Sequence, residues 1–176
     1  MIHKRNVFLV GPMGSGKTAV GRQLARALDC EFRDSDVEIE RRTGVDIPFI
    51  FEKEGEAGFR TREREVLEEL TLLEPIVLAT GGGAILDAHN RRVLAERGRV
   101  VYLCASVNQQ VERTRHGRHR PLLMNADPRA RLDELMRQRQ HLYREVADIT
   151  VMTDGRRVQV VADEILRSLQ SGTGAE

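Results

Sequence analysis

The chain has 176 residues, 31% of them charged and 40% hydrophobic, with 28 basic against 27 acidic side chains and a formal net charge of +1. That length suits one domain around one core, and the balance excludes disorder and wholesale attraction to nucleic acid or an anionic membrane. Five Phe and two Tyr without tryptophan leave little for base stacking, and Cys30 and Cys104, far apart in apolar contexts, are expected to be reduced, buried thiols.

Residues 6–10 read as a short apolar strand ending at Gly11, covered on both faces and hence paired in parallel. This run and the basic residues before it are too short for a signal peptide or a membrane span, so a cytoplasmic chain is expected. Residues 17–28 place Val20, Leu24 and Leu28 on one helix face. A strand over 31–33 leads to Asp34-Ser35-Asp36 and a helix over 37–43 closed by Gly44. Residues 56–73 read as a long helix with Phe59, Val66, Leu70 and Leu73 inward, ended by Pro75. Ile76–Ala79 is the next strand, followed by Thr80-Gly81-Gly82-Gly83 and a helix capped by Asp87 and stopped at Gly98. Arg99–Cys104 is a strand, and Ser106 with Gln109 opens a short helix. The basic stretch 115–121 breaks periodicity and reads as a mobile loop. Asp127-Pro128 starts a helix to about residue 147 with Leu132, Leu135, Met136, Leu142, Tyr143 and Val146 as its stripe. A strand over Ile149–Met152, a helix over 158–169 and a frayed tail at 171–176 complete the chain. Strands alternating with helices imply an α/β layer fold with a parallel sheet, in a single domain over 1–170 without repeat or linker.

Gly11-Pro12-Met13-Gly14-Ser15-Gly16-Lys17-Thr18 fits G-x-x-x-x-G-K-S/T and lies between a buried strand and a helix, where a phosphate-binding loop belongs. Its glycines let backbone N–H groups curl around phosphate oxygens, Lys17 reaches the β- and γ-phosphates, and Thr18 can hold magnesium. The third strand ends in Thr80 and not in Asp, so Asp34 and Asp36, beyond the second strand, are the natural carboxylates for a metal's water shell and for an acceptor hydroxyl. Either can instead cap the next helix as an Asx turn.

Arg139 sits in the middle of an apolar stripe, so it points inward, where its fork suits a carboxylate; snorkelling or an internal ion pair is the alternative. Arg60, with Glu63 three residues on to orient it, reads by spacing alone as a solvated helix residue. Gly81-Gly82-Gly83 suits either a close backbone approach to a ligand or a tight turn. His116 and His119 have no neighbouring Cys, Asp or Glu and make no zinc site.

GPMGSGKT, DSDVEIERRTG, IPFIFEKEGEAGFRTRE, VLATGGG, RPLL and LMRQRQHLYREVA, in that order over almost the whole chain, resemble the shikimate kinases. That resemblance implies a three-layer P-loop kinase fold with a five-stranded parallel sheet in the order 2-3-1-4-5, a substrate-binding region near 35–62 and a lid near 114–125. It implies ATP-dependent phosphorylation of the 3-hydroxyl of shikimate, in the route to chorismate and aromatic amino acids, with Mg2+. Lys17, Asp36 and Arg120 become catalytic, Arg120 lying over the ATP phosphates. Gly14, Ser15, Gly16, Lys17, Thr18, Ala19, Arg113, Arg120 and Arg156 bind the nucleotide, and Thr18 and Asp34 stand at the metal. Asp36, Arg60, Gly81, Gly82, Gly83 and Arg139 bind shikimate. Ala19 departs from the hydroxyl residue usual in the family and bears on ATP affinity. A gluconate-type or nucleotide kinase is the alternative enzyme, although nucleotide kinases carry an Asp-Gly motif where this chain has TGGG. A non-catalytic ATP-binding regulatory module is the alternative from another class, against which Lys17, Thr18, Asp34 and Asp36 all stand. The expected partner is shikimate alone, with no nucleic acid and no membrane, bound by a monomer.

Overall fold

Four apolar residues in a row can be buried on both sides only in the middle of a covered sheet, and that is where β1 (Val7–Val10) lies in this computed structural model, which describes residues 6–116, 123 and 127–172. Strands β1, β2 (Glu31–Asp34), β3 (Ile76–Ala79), β4 (Arg99–Cys104) and β5 (Ile149–Met152) form one parallel sheet in the order β2-β3-β1-β4-β5. Phe8 is in register with Leu78 on one side and Val100 on the other. Alternate strand residues serve opposite faces. Leu9, Val77, Val101 and Leu103 pack under α1 (Lys17–Ala27) and α7 (Val158–Ser171) through Leu24 and Ile165. Phe8, Leu78 and Tyr102 pack under α3 (Ile47–Leu70), α4 (Ala88–Arg97) and α6 (Pro128–Val146) through Leu67, Leu94 and Tyr143. The result is the expected three-layer P-loop kinase architecture.

The remaining helices are α2 (Ser35–Thr43) and α5 (Val107–Thr114). Ser106 caps α5 by accepting the Gln109 N–H, as the sequence predicts.

Several boundaries differ from the sequence reading for local reasons. Asn6 is outside β1, its side chain bonding Leu73 O at 2.8 Å and the Ile76 N–H at 3.0 Å, which ties the entry of β3 to the start of the chain. The long helix starts at Ile47 and not at 56, because the Asp46 carboxylate accepts the Phe49 N–H and caps a first turn with Pro48 in it. Gly55, at φ 70°, breaks it, which hid the first segment from a helical period. It ends at Leu70, so Leu73 is 41% exposed and not core. Leu28, past the last turn of α1, is 39% exposed. Cys30 and Cys104 are half-buried, since the first follows a helix end and the second ends a strand. A 3₁₀ turn over Ala84–Leu86 had no sequence signal, and α7 runs on to Ser171. Gly98 stops α4 with extended backbone; its use is space, since a Cβ there would lie 2.5 Å from the Phe8 ring. Among the described residues no helix is long and apolar enough to cross a membrane. Arg120 and His119, and most of the expected lid, lie outside the described residues, as do residues 173–176.

Candidate active site

The carboxyl ends of the strands open into a cleft of about 590 Å³, lined by Met13, Lys17, Asp34, Asp36, Gly82 and Arg113 among others. In a parallel sheet this edge collects the loops that leave each strand, which is why ligands bind there. The loop between β1 and α1 is built from backbone. Gly14 has φ 77° and is pressed on α5, where a Cβ would lie 3.3 Å from the Gln110 backbone, so only glycine fits. Gly16, at φ 91°, is the N-cap of α1 without a side-chain cap, which leaves the first N–H groups of the helix turned to the cleft. Lys17 Nζ donates to Gly11 O at 2.7 Å and Pro12 O at 2.9 Å, folding its charge over the loop. Ser15 is wholly buried in it.

Asp34 does two things at once. Its Oδ1 accepts the Asp36 and Val37 N–H groups at 3.0 and 3.2 Å, capping α2, and its Oδ2 accepts the Thr18 hydroxyl at 3.2 Å. The helix-capping reading of Asp34 therefore holds, and the same carboxylate also reaches Thr18 on the cleft. Thr18 and Asp34 together form a hard oxygen pair on the cleft, the donor chemistry magnesium takes when waters and phosphates supply most of its shell. Asp36 is carried inward by the same turn. Its carboxyl is pushed up to about 7 by burial first and then by Glu63 and Asp34, against the pull of Lys17 and Arg60.

The acceptor end is assembled from side chains. Arg60 Nη1 bonds Glu63 at 2.7 Å and its Nη2 bonds Glu56 at 3.2 Å, while its guanidinium lies 5.2 Å from the Phe59 ring centroid. Glu63 pairs with Arg60 as the i, i+3 spacing predicts, and Arg60 is partly buried and not solvated. Arg139 is 4% exposed, inside the protein as its stripe position requires. Burial, and also the positive charge of Arg60, push it down from its ordinary value, so the two guanidiniums are close enough to repel, a repulsion an anion between them would relieve. The Gly81-Gly82-Gly83 turn makes room for these side chains. A Cβ on Gly81 would lie 2.7 Å from Glu63 Oε1 and 2.8 Å from Asp36 Oδ1, one on Gly82 would be 3.7 Å from Arg139 Nη1, and one on Gly83 would collide with the Arg60 guanidinium.

Eight buried side-chain polar atoms lack a protein partner among the described residues, and five belong to Ser15, Asp36, Arg60, Glu63 and Arg139. Orphaned polar atoms are rare in a settled core; of these, Asp36 lines the cleft, and the oxygens of Asp36 and Glu63 both face Gly81, while Arg139 lies by Gly82 and Arg60 by Gly83.

Arg113 is anchored beside the phosphate loop, donating to Gly14 O at 3.0 Å and to Thr153. Arg156 is farther out, bound to Met152 O and Glu164, and does not line the cleft. Ala19 is exposed on the cleft rim. Glu63 was legible only as a partner of Arg60, and Tyr143 only as a core residue; its hydroxyl bonds Gly82 O at 2.5 Å.

A family model described as "Shikimate kinase" matches residues 13–170. A shikimate kinase from Methylococcus capsulatus is 62% identical over 153 residues, covering 87% of this chain and 86% of that one. Another from Thioalkalivibrio sulfidiphilus is 58% identical over 95% of this chain and 88% of its own length. The solved shikimate kinase from Acinetobacter baumannii in complex with shikimate superposes with a TM-score of 0.95 at 53% identity, covering 97% of this chain and 95% of that one.

Proposed function

The chain belongs to the shikimate kinase family, and on that premise we propose that its cleft transfers the γ-phosphoryl group of ATP to the 3-hydroxyl of shikimate through the residues placed above. The observation that carries the reading is the set of orphaned polar atoms: one lies in the phosphate loop, one at the centre on Asp36, and three on the Arg60, Glu63 and Arg139 cluster. A ligand pair with phosphates at one end, a hydroxyl in the middle and a carboxylate at the other would offer acceptors to Ser15, Arg60 and Arg139 and a donor to Asp36, while Glu63, itself an acceptor, would need a further hydroxyl.

The backbone around Gly14 and Gly16 and the N-terminus of α1 hold the phosphates, and Lys17 swings from its carbonyl partners onto the β- and γ-oxygens. Thr18 and Asp34 would hold magnesium, which when bound neutralises phosphate charge. Arg60 and Arg139 grip the acceptor carboxylate, fixing the ring so that one hydroxyl faces Asp36. With a carboxyl titrating near neutrality, Asp36 is matched to take the hydroxyl proton. The freed oxygen attacks the γ-phosphorus, the bond to the β–γ bridging oxygen breaks, and ADP leaves. Arg113 flanks the nucleotide near the phosphate loop, Arg156 stands farther along the same sheet edge, and Arg120 supplies a further guanidinium to the transferring group from the lid at 114–125. The default for such a chain, with no long heptad repeat in its sequence, is a monomer working in the cytoplasm.

Phosphorus NMR of the protein with magnesium, ATP and shikimate tests the assignment. A phosphomonoester on the 3-hydroxyl, formed in step with ADP, is expected. Release of inorganic phosphate alone would defeat it.

A further inference from the structure

Tyr143 lies one helical turn beyond Arg139 on the same face of α6, and it is wholly buried. Its ring stacks on Tyr102 of β4 with centroids 5.1 Å apart and planes at 21°, which sets the height of its hydroxyl above the sheet. That hydroxyl donates to Gly82 O at 2.5 Å across 61 residues of sequence. Burial pushes its pKa up to about 12, opposed by the neighbouring Arg139 guanidinium, so it stays a donor through the working range.

The peptide after Gly82 is trans, so its two polar ends point in opposite directions. With the carbonyl held against Tyr143, the Gly83 N–H points the opposite way from that carbonyl, in a turn whose Gly81 and Gly82 line the cleft. Among the described residues neither the Gly82 nor the Gly83 N–H has an acceptor in the protein. Gly83 itself abuts the Arg60 guanidinium, and Gly82 stands between Met13 and Arg139.

We propose that Tyr143 is a positioning residue for acceptor binding, whose hydroxyl holds the Gly82 carbonyl and so aims the Gly83 N–H at the carboxylate gripped by Arg60 and Arg139. This rests on the acceptor reading above and adds to it a residue that touches neither substrate. Without the hydroxyl, the Gly82–Gly83 peptide can rotate, because glycine on both sides imposes no side-chain barrier. A weakened acceptor site and an unchanged nucleotide site are the consequence.

The test compares Tyr143→Phe with Tyr102→Phe in steady-state kinetics. Both delete one buried hydroxyl from the same stacked pair, but only the first frees Gly82 and the Arg139 guanidinium that also bonds that hydroxyl. Tyr143→Phe is expected to raise KM for shikimate roughly tenfold, the effect of losing one hydrogen bond of ordinary strength, with KM for magnesium-ATP within twofold. Tyr102→Phe should leave both constants near wild type. A shikimate KM within twofold of wild type in Tyr143→Phe, or an equal rise in both variants, overturns the proposal. Should Tyr143→Phe not fold, the wild-type protein decides: shikimate should move the Gly83 amide proton downfield and slow its exchange, and an unmoved signal on saturation overturns it. If the wild type does not turn over or bind shikimate at all, it is the acceptor reading that fails.

Discussion

The two ends of the cleft are built by opposite means. The proposed phosphate end is one contiguous segment, Gly11 to Thr18, built of backbone and one lysine, in which glycine is demanded by positive φ and by the close approach of α5. The proposed acceptor end gathers Asp36 from α2, Arg60 and Glu63 from α3, the glycine turn after β3, and Arg139 and Tyr143 from α6. A backbone cradle recognises a feature common to every nucleoside triphosphate, whereas a side-chain cage can be fitted to one acceptor. The glycine turn joins them, with Gly82 next to Met13 on one side and Arg139 on the other.

If the phosphate end carries the chemistry common to both substrates, Lys17→Ala should cost the most: turnover down by more than roughly 10³-fold with an unchanged circular-dichroism spectrum. Activity within tenfold of wild type would remove the loop from the mechanism. Asp36→Asn, at the junction, should lower turnover by roughly 10²–10⁴-fold with little change in ATP binding.

The same substitution has a stability signature. The Asp36 carboxyl is raised from an ordinary 3.8 to about 7 in the folded state. Between those values the unfolded chain gives up its proton first, so stability attributable to this group is lost as pH rises toward 7. Asp36→Asn should therefore melt above wild type at pH 8, with the gap closing as pH falls toward 4. A pH-independent gap in thermal scans would show that Asp36 is not strained by its charge.

At the acceptor end, Arg139→Ala should weaken shikimate binding by about 1.5–3 kcal/mol, the range for hydrogen bonds to a charged group. By calorimetry, an analogue lacking the carboxylate should lose much of that sensitivity. Equal losses for both ligands would make Arg139 a strut for α6. Smallest of all, Ala19→Thr on the rim should lower KM for ATP by about threefold, the scale of one exposed hydrogen bond, and leave shikimate untouched.

This contrast also explains what could be read from the sequence. The phosphate loop is legible because its function is local, and Arg139 because a charge interrupts an apolar stripe. The sheet order followed from the family resemblance, and the strands from short apolar runs that burial on two faces requires. Arg60 was not legible from spacing, since its burial depends on Glu63 and on a glycine turn that comes to it across the fold. Tyr143 was visible as a core residue, but a hydroxyl's partner 61 residues away leaves no periodic trace. The first segment of α3 was hidden by Gly55, which resets the helical phase; for Asp34 the sequence left capping and a metal role as alternatives, because both ask for the same residue type, and the structure shows the cap.

The central claim is that a nucleotide end of general design is joined to an end fitted to one acceptor. Coupled measurement of ADP release with magnesium-ATP and, in turn, shikimate, gluconate, AMP and CMP tests it most directly. Turnover with shikimate alone above the acceptor-free rate is the predicted result; turnover with gluconate or a nucleotide at a comparable kcat/KM, or none with shikimate, would contradict it.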